Sequence, residues 1–149
     1  MSQVITVFVA ILLTSCSARL ADVDVGLVDQ KPPLKKDLVA PKSDDGIAKV
    51  GLHETIKGKM AKGEKRNLYV IVNSLSNPEI AKIWWVQEEV TRDGESLSSV
   101  AQFGEEAAGV GEYFAILAVA TDKKWAVGEM LKSLPDDATY TTVKIVKRK

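Results

Sequence analysis

Few side chains in this chain have types and spacing suited to chemistry, and the first of them is its single thiol, Cys16. Cys16 follows Leu13, Thr14 and Ser15 at the end of an apolar run over residues 4–13. Because the sequence holds no second cysteine, it can form no intramolecular disulfide, and the residues after Cys16 offer no thiolate for catalysis or for a metal site. The chemistry left to this residue is modification of its sulfur.

The order Leu13, Thr14, Ser15, Cys16 resembles the lipobox of bacterial lipoprotein precursors. The resemblance covers the first sixteen residues. It implies that a diacylglycerol is bonded to the sulfur, that the signal peptide 1–15 is cleaved, and that the new N-terminus is acylated. Two or three acyl chains form a durable membrane anchor, because each buried methylene contributes about 0.8 kcal/mol.

The apolar run before Cys16 has the length of a signal-peptide core and falls short of the ~20 residues of a spanning helix. Residues 1–3 depart from the pattern, since they include no Lys or Arg. The alternative is an ordinary cleaved signal. Both alternatives predict export to the cell envelope. In a cell with two membranes, Ser17 resembles the residue that permits transfer to the outer membrane.

Carboxylate pairs occur at Glu88 with Glu89 and at Glu105 with Glu106. A glycoside hydrolase needs two carboxyl groups that face each other about 5 to 10 Å apart, whereas neighbours on a strand point to opposite faces. His53 has no second His, Cys or serine motif near it. We therefore predict that the chain is not an enzyme and uses no cofactor.

Two further segments resemble ligand sites only superficially. Asp136 and Asp137 offer the oxygen atoms that Ca²⁺ prefers, but the sequence favours a turn there, so we expect no metal. The Gly-rich segment 104–111 lacks the Lys and Ser or Thr of a phosphate loop, and it predicts a connection between sheets.

Trp84 and Trp85 are the strongest candidates for a binding role. Adjacent strand residues point to opposite faces of a sheet, so the two indoles cannot occupy the same core. If one face is solvated, one ring is free to stack on a sugar or to accept an apolar side chain of a partner. The alternative is that the segment 16–46, the segment 121–135 or a Lys stem covers that ring.

The composition is that of a globular protein, with 46% hydrophobic and 27% charged residues. Twenty basic side chains balance twenty acidic ones, which gives no indication of a nucleic-acid partner. The basic end of the chain predicts the solvated end of a last strand, and it consists of Lys144, Lys147, Arg148 and Lys149.

Residues 16–46 hold three of the five prolines and no aromatic residue. This composition predicts a flexible linker between the membrane anchor and a folded domain, because such a segment buries too little apolar surface to offset its ordering entropy. The alternative is that Val23 to Val28 adds an edge strand to the domain.

Residues 47–149 have the size of one domain. Alternating or apolar runs predict strands over 48–59, 68–72, 83–87, 96–103, 113–121 and 140–146. Asp93 and Gly94 are typical of a hairpin turn. Between Thr121 and Pro135, Trp125, Met130 and Leu131 lie near helical spacing, which predicts one short helix.

Six or seven short strands with a Trp on a middle strand resemble an immunoglobulin-like or fibronectin-like β-sandwich. A small open barrel and an α+β fold are the alternatives. The resulting hypothesis is a non-catalytic, lipid-anchored module that binds an envelope protein or polysaccharide. A structural or assembly component that acts through sheet-edge contacts is the alternative, and an envelope hydrolase is a distant third.

Overall fold

The computed structural model describes residues 22–34 and 38–149. Cys16, the predicted signal peptide 1–15 and the rest of the chain before Asp22 lie outside the described residues. The described part contains strands and no helix. No helix among these residues has the length and apolarity that a membrane crossing requires. The strands are β1 (Asp22–Leu27), β2 (Ala48–Val50), β3 (His53–Lys59), β4 (Asn67–Ser74), β5 (Trp84–Val86), β6 (Thr91–Asp93), β7 (Ser96–Gln102), β8 (Tyr113–Thr121), β9 (Met130–Leu131), β10 (Thr139–Tyr140) and β11 (Lys144–Arg148).

The strands form two sheets of unequal width. The narrow sheet has four strands in the order β1-β3-β7-β6. The wide sheet has seven strands in the order β2-β11-β8-β4-β5-β9, with β10 also paired to β8. Most neighbours are antiparallel, while β1 with β3 and β2 with β11 are parallel. This arrangement confirms the predicted two-sheet β-sandwich, and the finer immunoglobulin-like assignment stays a prediction.

The main core lies between the sheets. Val70, Val72, Ile116 and Val146 of the wide sheet belong to one cluster with Ile56 and Leu97 of the narrow sheet. The central pair is β4 with β8, whose register runs without interruption over eight residue pairs. β8 is buried from Phe114 to Thr121, as expected for a strand that is apolar on both faces.

A second apolar cluster covers the outer face of the wide sheet. Ile71, Leu117, Val119 and Tyr140 are buried there, and Leu34, Leu38 and Ala40 of the chain before β2 pack against them. Asp44 links the chain before β2 to the wide sheet. Its carboxylate accepts hydrogen bonds from the Tyr113 hydroxyl and, at 2.9 Å, from the Lys147 ammonium. The hydrogen bond from Tyr113, with that from Lys147, lowers the pKa of Asp44.

The assignment of residues 22–27 to a flexible linker is wrong. Asp22–Leu27 is β1, which pairs with β3, and Val23 and Val25 are each 5% exposed in the core between the sheets. The alternating order Asp, Val, Asp, Val places both valines on one face of an extended strand, which buries enough apolar surface to order the segment. The alternative of an added edge strand is therefore confirmed.

The predicted helix between Thr121 and Pro135 is also wrong. The segment forms bends, a turn and the two-residue strand β9, which pairs with β5. Gly128 has a φ of +83°, a conformation outside the helical region. The backbone groups of this segment bond elsewhere: the Val86 N–H donates to the Glu129 carbonyl, and the Trp125 N–H donates to the Tyr69 hydroxyl, both at 2.9 Å.

The local turn predictions hold. Gly94 and Glu95 form a two-residue hairpin loop between β6 and β7, where Asp93 pairs with Ser96. Asp136 and Asp137 lie in a turn before β10, as expected from the sequence. The segment 104–111 connects β7 of the narrow sheet with β8 of the wide sheet, which confirms the predicted connection.

Candidate functional site

The two adjacent tryptophans of β5 lie on opposite faces of the wide sheet, as the strand alternation predicts. Trp84 is 5% exposed and belongs to the outer cluster, where it is paired in register with Leu131 of β9. Trp85 is half-buried and is paired with Val72, which faces the narrow sheet. Trp84 is thus covered by the 121–135 segment, and Trp85 is the indole that a ligand can reach.

Trp85 lines a groove of about 690 Å³. The groove exists because the wide sheet extends past the narrow one at β5. On the narrow side, β6 pairs only with Ser96, Leu97 and Ser98, so the second half of β7 is a free edge. Val72, Trp85 and Phe114 of the wide sheet therefore line a space that no strand of the narrow sheet fills.

Hydrogen bonds of the Gln87, Gln102 and Ser99 side chains link the segment that carries Trp85 to β7 of the narrow sheet. The Gln87 side chain donates to the Trp85 carbonyl at 2.9 Å and accepts from the Gln102 backbone N–H at 2.8 Å. The Gln102 side chain donates to the Gly104 carbonyl at 2.8 Å. Ser99 adds a bond from its hydroxyl to the Glu88 carbonyl at 2.7 Å. These contacts fix β5 against the free edge of β7.

The groove carries negative charge. Its lining includes the carboxylates of Glu88, Glu105 and Glu112 together with His53, and it includes no Lys or Arg. Glu88 and Glu105 are exposed, which places them at the rim. Their sequence neighbours Glu89 and Glu106 do not line this groove. Each predicted carboxylate pair therefore contributes one member to the groove.

A buried hydroxyl lies on the groove face of the wide sheet. Ser74 is 7% exposed and shares its face with Val72 and with its register partner Phe114. Its Oγ has no hydrogen-bond partner among the described residues. A buried hydroxyl without a partner costs free energy, so this atom is available to a ligand group that reaches it.

The loop at one end of the groove is organised by Arg148, a residue that the sequence analysis placed in solvent. That placement is wrong for Arg148, which is 5% exposed. Its guanidinium donates to the carbonyls of Phe103 at 3.0 Å and Glu106 at 3.3 Å, and also to those of Glu105 and Ala108. In the sequence, this role could have been inferred from two features taken together: a long cationic side chain at the end of the last strand and a Gly-rich connection whose carbonyls it could reach.

The remaining candidate residues do not assemble into a metal centre. The Asp137 carboxylate accepts hydrogen bonds from the Thr121 hydroxyl at 2.9 Å and from the Asp122 N–H at 2.7 Å, and the bond from Asp122 chiefly lowers the pKa of Asp137. Within residues 22–34 and 38–149, no group of three or more His, Cys, Asp or Glu side chains is placed to hold a metal ion. His53 is exposed at the start of β3.

Comparison of the chain with protein-family models, with curated proteins and with solved structures finds no match. The features of the chain that bear on its function are therefore the groove beside Trp85 and the sequence around Cys16.

Proposed function

We propose that this chain is a non-catalytic, lipid-anchored binding module of the bacterial cell envelope, and that it binds an envelope protein in the groove beside Trp85. The lipobox at Leu13 to Cys16 supports the anchor. The observation that carries the binding role is the half-buried indole of Trp85 in a groove of about 690 Å³. An aromatic ring in an open apolar space is a typical centre of an interface.

Sheet-edge assembly, the alternative role, has less support in the described part of the chain. Three of the strands at its sheet edges, β2, β6 and β9, have two or three residues. The fourth, β1, has six residues, and it carries the exposed carboxylates of Asp22 and Asp24. Short edges and exposed charges oppose pairing with a further strand.

The groove also suits binding better than hydrolysis. A general acid or base on an enzyme is commonly held in an apolar pocket or close to another charge. Glu88, Glu105 and His53 are exposed to water instead. The proposal therefore assigns no reaction to these residues, and no cofactor to the groove.

The anchor is tested by feeding cells an alkyne-tagged fatty acid and measuring its incorporation into the chain. We expect label on the natural sequence and none on the Cys16→Ser variant. Intact mass of the purified protein should show a mature chain that starts at Cys16 with acyl groups. An unmodified chain in the soluble fraction would contradict the proposed anchor.

The binding role is tested by placing a photo-activatable aromatic residue at position 85 and, as a matched control, at the exposed position Lys132 outside the groove. We expect illumination of intact cells to yield a discrete cross-link to one envelope protein from position 85 and not from 132. The same pattern from both positions, or no product from position 85, would count against the groove as an interface.

A further inference from the structure

The groove beside Trp85 joins an apolar floor to an acidic rim, and this combination specifies the chemistry of its ligand. Val72 and Phe114 form part of the floor, and both are 3% exposed. Glu88 and Glu105 lie at the rim and Glu112 also lines the groove, whereas Arg148, the cation bonded to the carbonyls of the 104–111 loop, is not part of the lining. Because a carboxylate attracts a cation and repels an anion, the groove favours a ligand that bears positive charge.

The indole of Trp85 reinforces this preference. A Lys ammonium or an Arg guanidinium over the face of a Trp is attracted by the electrons of the ring, and among the aromatic side chains Trp gives the strongest such attraction. Trp85 is half-buried and lines the groove, so part of this residue is reachable from it. An aromatic face and carboxylates in one space together select a cation over a neutral polar group.

Several neutral polar groups of the groove are already hydrogen-bonded within the protein. Both ends of the Gln87 amide are hydrogen-bonded, as is the NH₂ of Gln102, and the Asn77 side-chain oxygen accepts from the Glu79 N–H at 3.0 Å. A sugar needs several free donors and acceptors around its hydroxyl groups. The floor offers it the hydroxyl of Ser74, whose partner is missing among the described residues.

We propose that the ligand is a basic segment of an envelope protein, with the aliphatic stem of an Arg or Lys side chain on the apolar floor and its charged head among the rim carboxylates. Such a side chain matches both parts of the groove, since it has an apolar body and a cationic tip. An N–H of the same side chain or its backbone can donate to the buried Ser74 Oγ. This inference rests on the proposed function and names the partner chemistry of that site.

The test uses the full chain purified in detergent and two fluorescent hexapeptides, one alternating Arg with Val and one alternating Glu with Val. We expect the Arg peptide to bind, with an affinity that falls as salt is raised, and the Glu peptide not to bind. The variant with both Glu88→Gln and Glu105→Gln should bind the Arg peptide about tenfold more weakly. Glu106→Gln is the control for the loop member of this pair: it removes one negative charge from the loop of Glu105 but outside the groove lining, and it should change the affinity less than twofold.

Three results would overturn the inference: the Arg peptide fails to bind, the double variant binds it as tightly as the natural chain, or Glu106→Gln weakens it equally. Binding of a neutral chitin oligosaccharide, in place of the Arg peptide, would also reject the basic segment and assign the groove to a polysaccharide. If position 85 cross-links an envelope protein while the Arg peptide fails, the proposed binding role stands and the basic chemistry of the partner is wrong.

Discussion

The guanidinium of Arg148 donates hydrogen bonds to backbone carbonyls of the 104–111 loop, as a neighbouring strand does in a sheet. Its N–H groups donate to the carbonyls of four residues from Phe103 to Ala108. No carboxylate among the described residues forms an ion pair with it. Because Glu105 belongs to this loop and lines the groove, Arg148 positions part of the rim.

Replacing Arg148 with Ala should lower the free energy of unfolding by about 3 kcal/mol, because one buried carbonyl, that of Phe103, and three part-buried ones lose charge-assisted hydrogen bonds. Arg148→Lys should recover only part of the loss, since an ammonium cannot reproduce the planar fork. Urea denaturation measures both effects. Lys149→Ala, at an exposed neighbour, is the control and should leave the midpoint unchanged. Equal midpoints for the natural chain and Arg148→Ala would show that the loop does not depend on the guanidinium.

Gly104→Ala should be far more costly than Gly111→Ala. Both glycines have a positive φ, +80° and +79°, so either substitution strains the backbone by about 1 kcal/mol. A Cβ at Gly104 would lie 2.6 Å from the Ala108 carbonyl oxygen, while a Cβ at Gly111 meets nothing within 4 Å. We expect a total loss of about 3 kcal/mol for Gly104→Ala, measured by thermal unfolding. Identical losses for the two variants would show that the loop can move out of the way.

Glu64 should make the protein sensitive to acid. The hydrogen bonds from Arg66, at 2.7 and 2.9 Å, lower the pKa of Glu64 from its ordinary 4.5 to about 2. Because the folded state holds the carboxylate ionised, its contribution is complete above pH 4.5 and is lost as the pH falls towards 2. Glu64→Gln should cost about 1 to 2 kcal/mol at pH 7 and progressively less below pH 4.5.

The measurement for Glu64 is the unfolding free energy as a function of pH for both proteins. The exposed Glu95 of the hairpin loop supplies the control variant Glu95→Gln. A difference between the natural chain and Glu64→Gln that stays constant from pH 7 to pH 2 would contradict the role of the Arg66 contact.

At the scale of elements, β1 shows how an alternating pattern can be hidden by the composition around it. Prolines and charges dominate residues 16–46, and a composition-based prediction therefore gives a linker. The valines at 23 and 25 have the strand period of two, but two apolar positions carry little weight until a neighbouring strand packs beside them. β3 is that neighbour: Val23 pairs in parallel with Ile56, 33 residues later in the chain, and the local sequence does not indicate this pairing.

Val25→Asp distinguishes a strand from a linker. The side chain is 5% exposed in the core between the sheets, so an aspartate there should cost about 3 kcal/mol or more through an unpaired buried charge. Leu27, at 44% exposed, provides the control substitution Leu27→Asp, which should cost less than 1 kcal/mol. Chemical denaturation of the two variants gives the comparison, and equal stability for both would return the segment to the linker assignment.

The failed helix between Thr121 and Pro135 has a different cause. Trp125, Met130 and Leu131 do have near-helical spacing, yet tertiary contacts decide the outcome: Trp125 packs on Tyr69 with ring centroids 4.8 Å apart, and β9 pairs with β5. Gly128 removes the remaining helical preference. The spacing of apolar residues alone could not show that this segment pairs with β5 as the last strand of the wide sheet.

At the scale of the molecule, the unequal width of the two sheets creates the groove. Strand positions, the hairpin at Gly94 and the opposite faces of Trp84 and Trp85 were predictable, because each follows from the alternation of side chains along a strand. Which tryptophan remains reachable was not predictable, since it depends on how far the narrow sheet extends beneath β5. The grouping of Glu88, Glu105 and Glu112 was equally inaccessible, because long-range pairing brings Glu88 of the connection between β5 and β6 to Glu105 and Glu112 of the connection between β7 and β8.

If Cys16 is acylated as we propose, the early start of β1 limits how far the sandwich can lie from the lipid surface. Five residues lie between Cys16 and Asp22, and an extended chain advances at most about 3.5 Å per residue, so an acylated Cys16 would hold the start of β1 within roughly 20 Å of the bilayer. Asp22 is paired with Thr55, near His53 and Gln102 at the groove end of the narrow sheet. Binding would then take place close to the lipid headgroups. The module would therefore bind proteins at the membrane that holds its anchor rather than proteins on the far side of the periplasm.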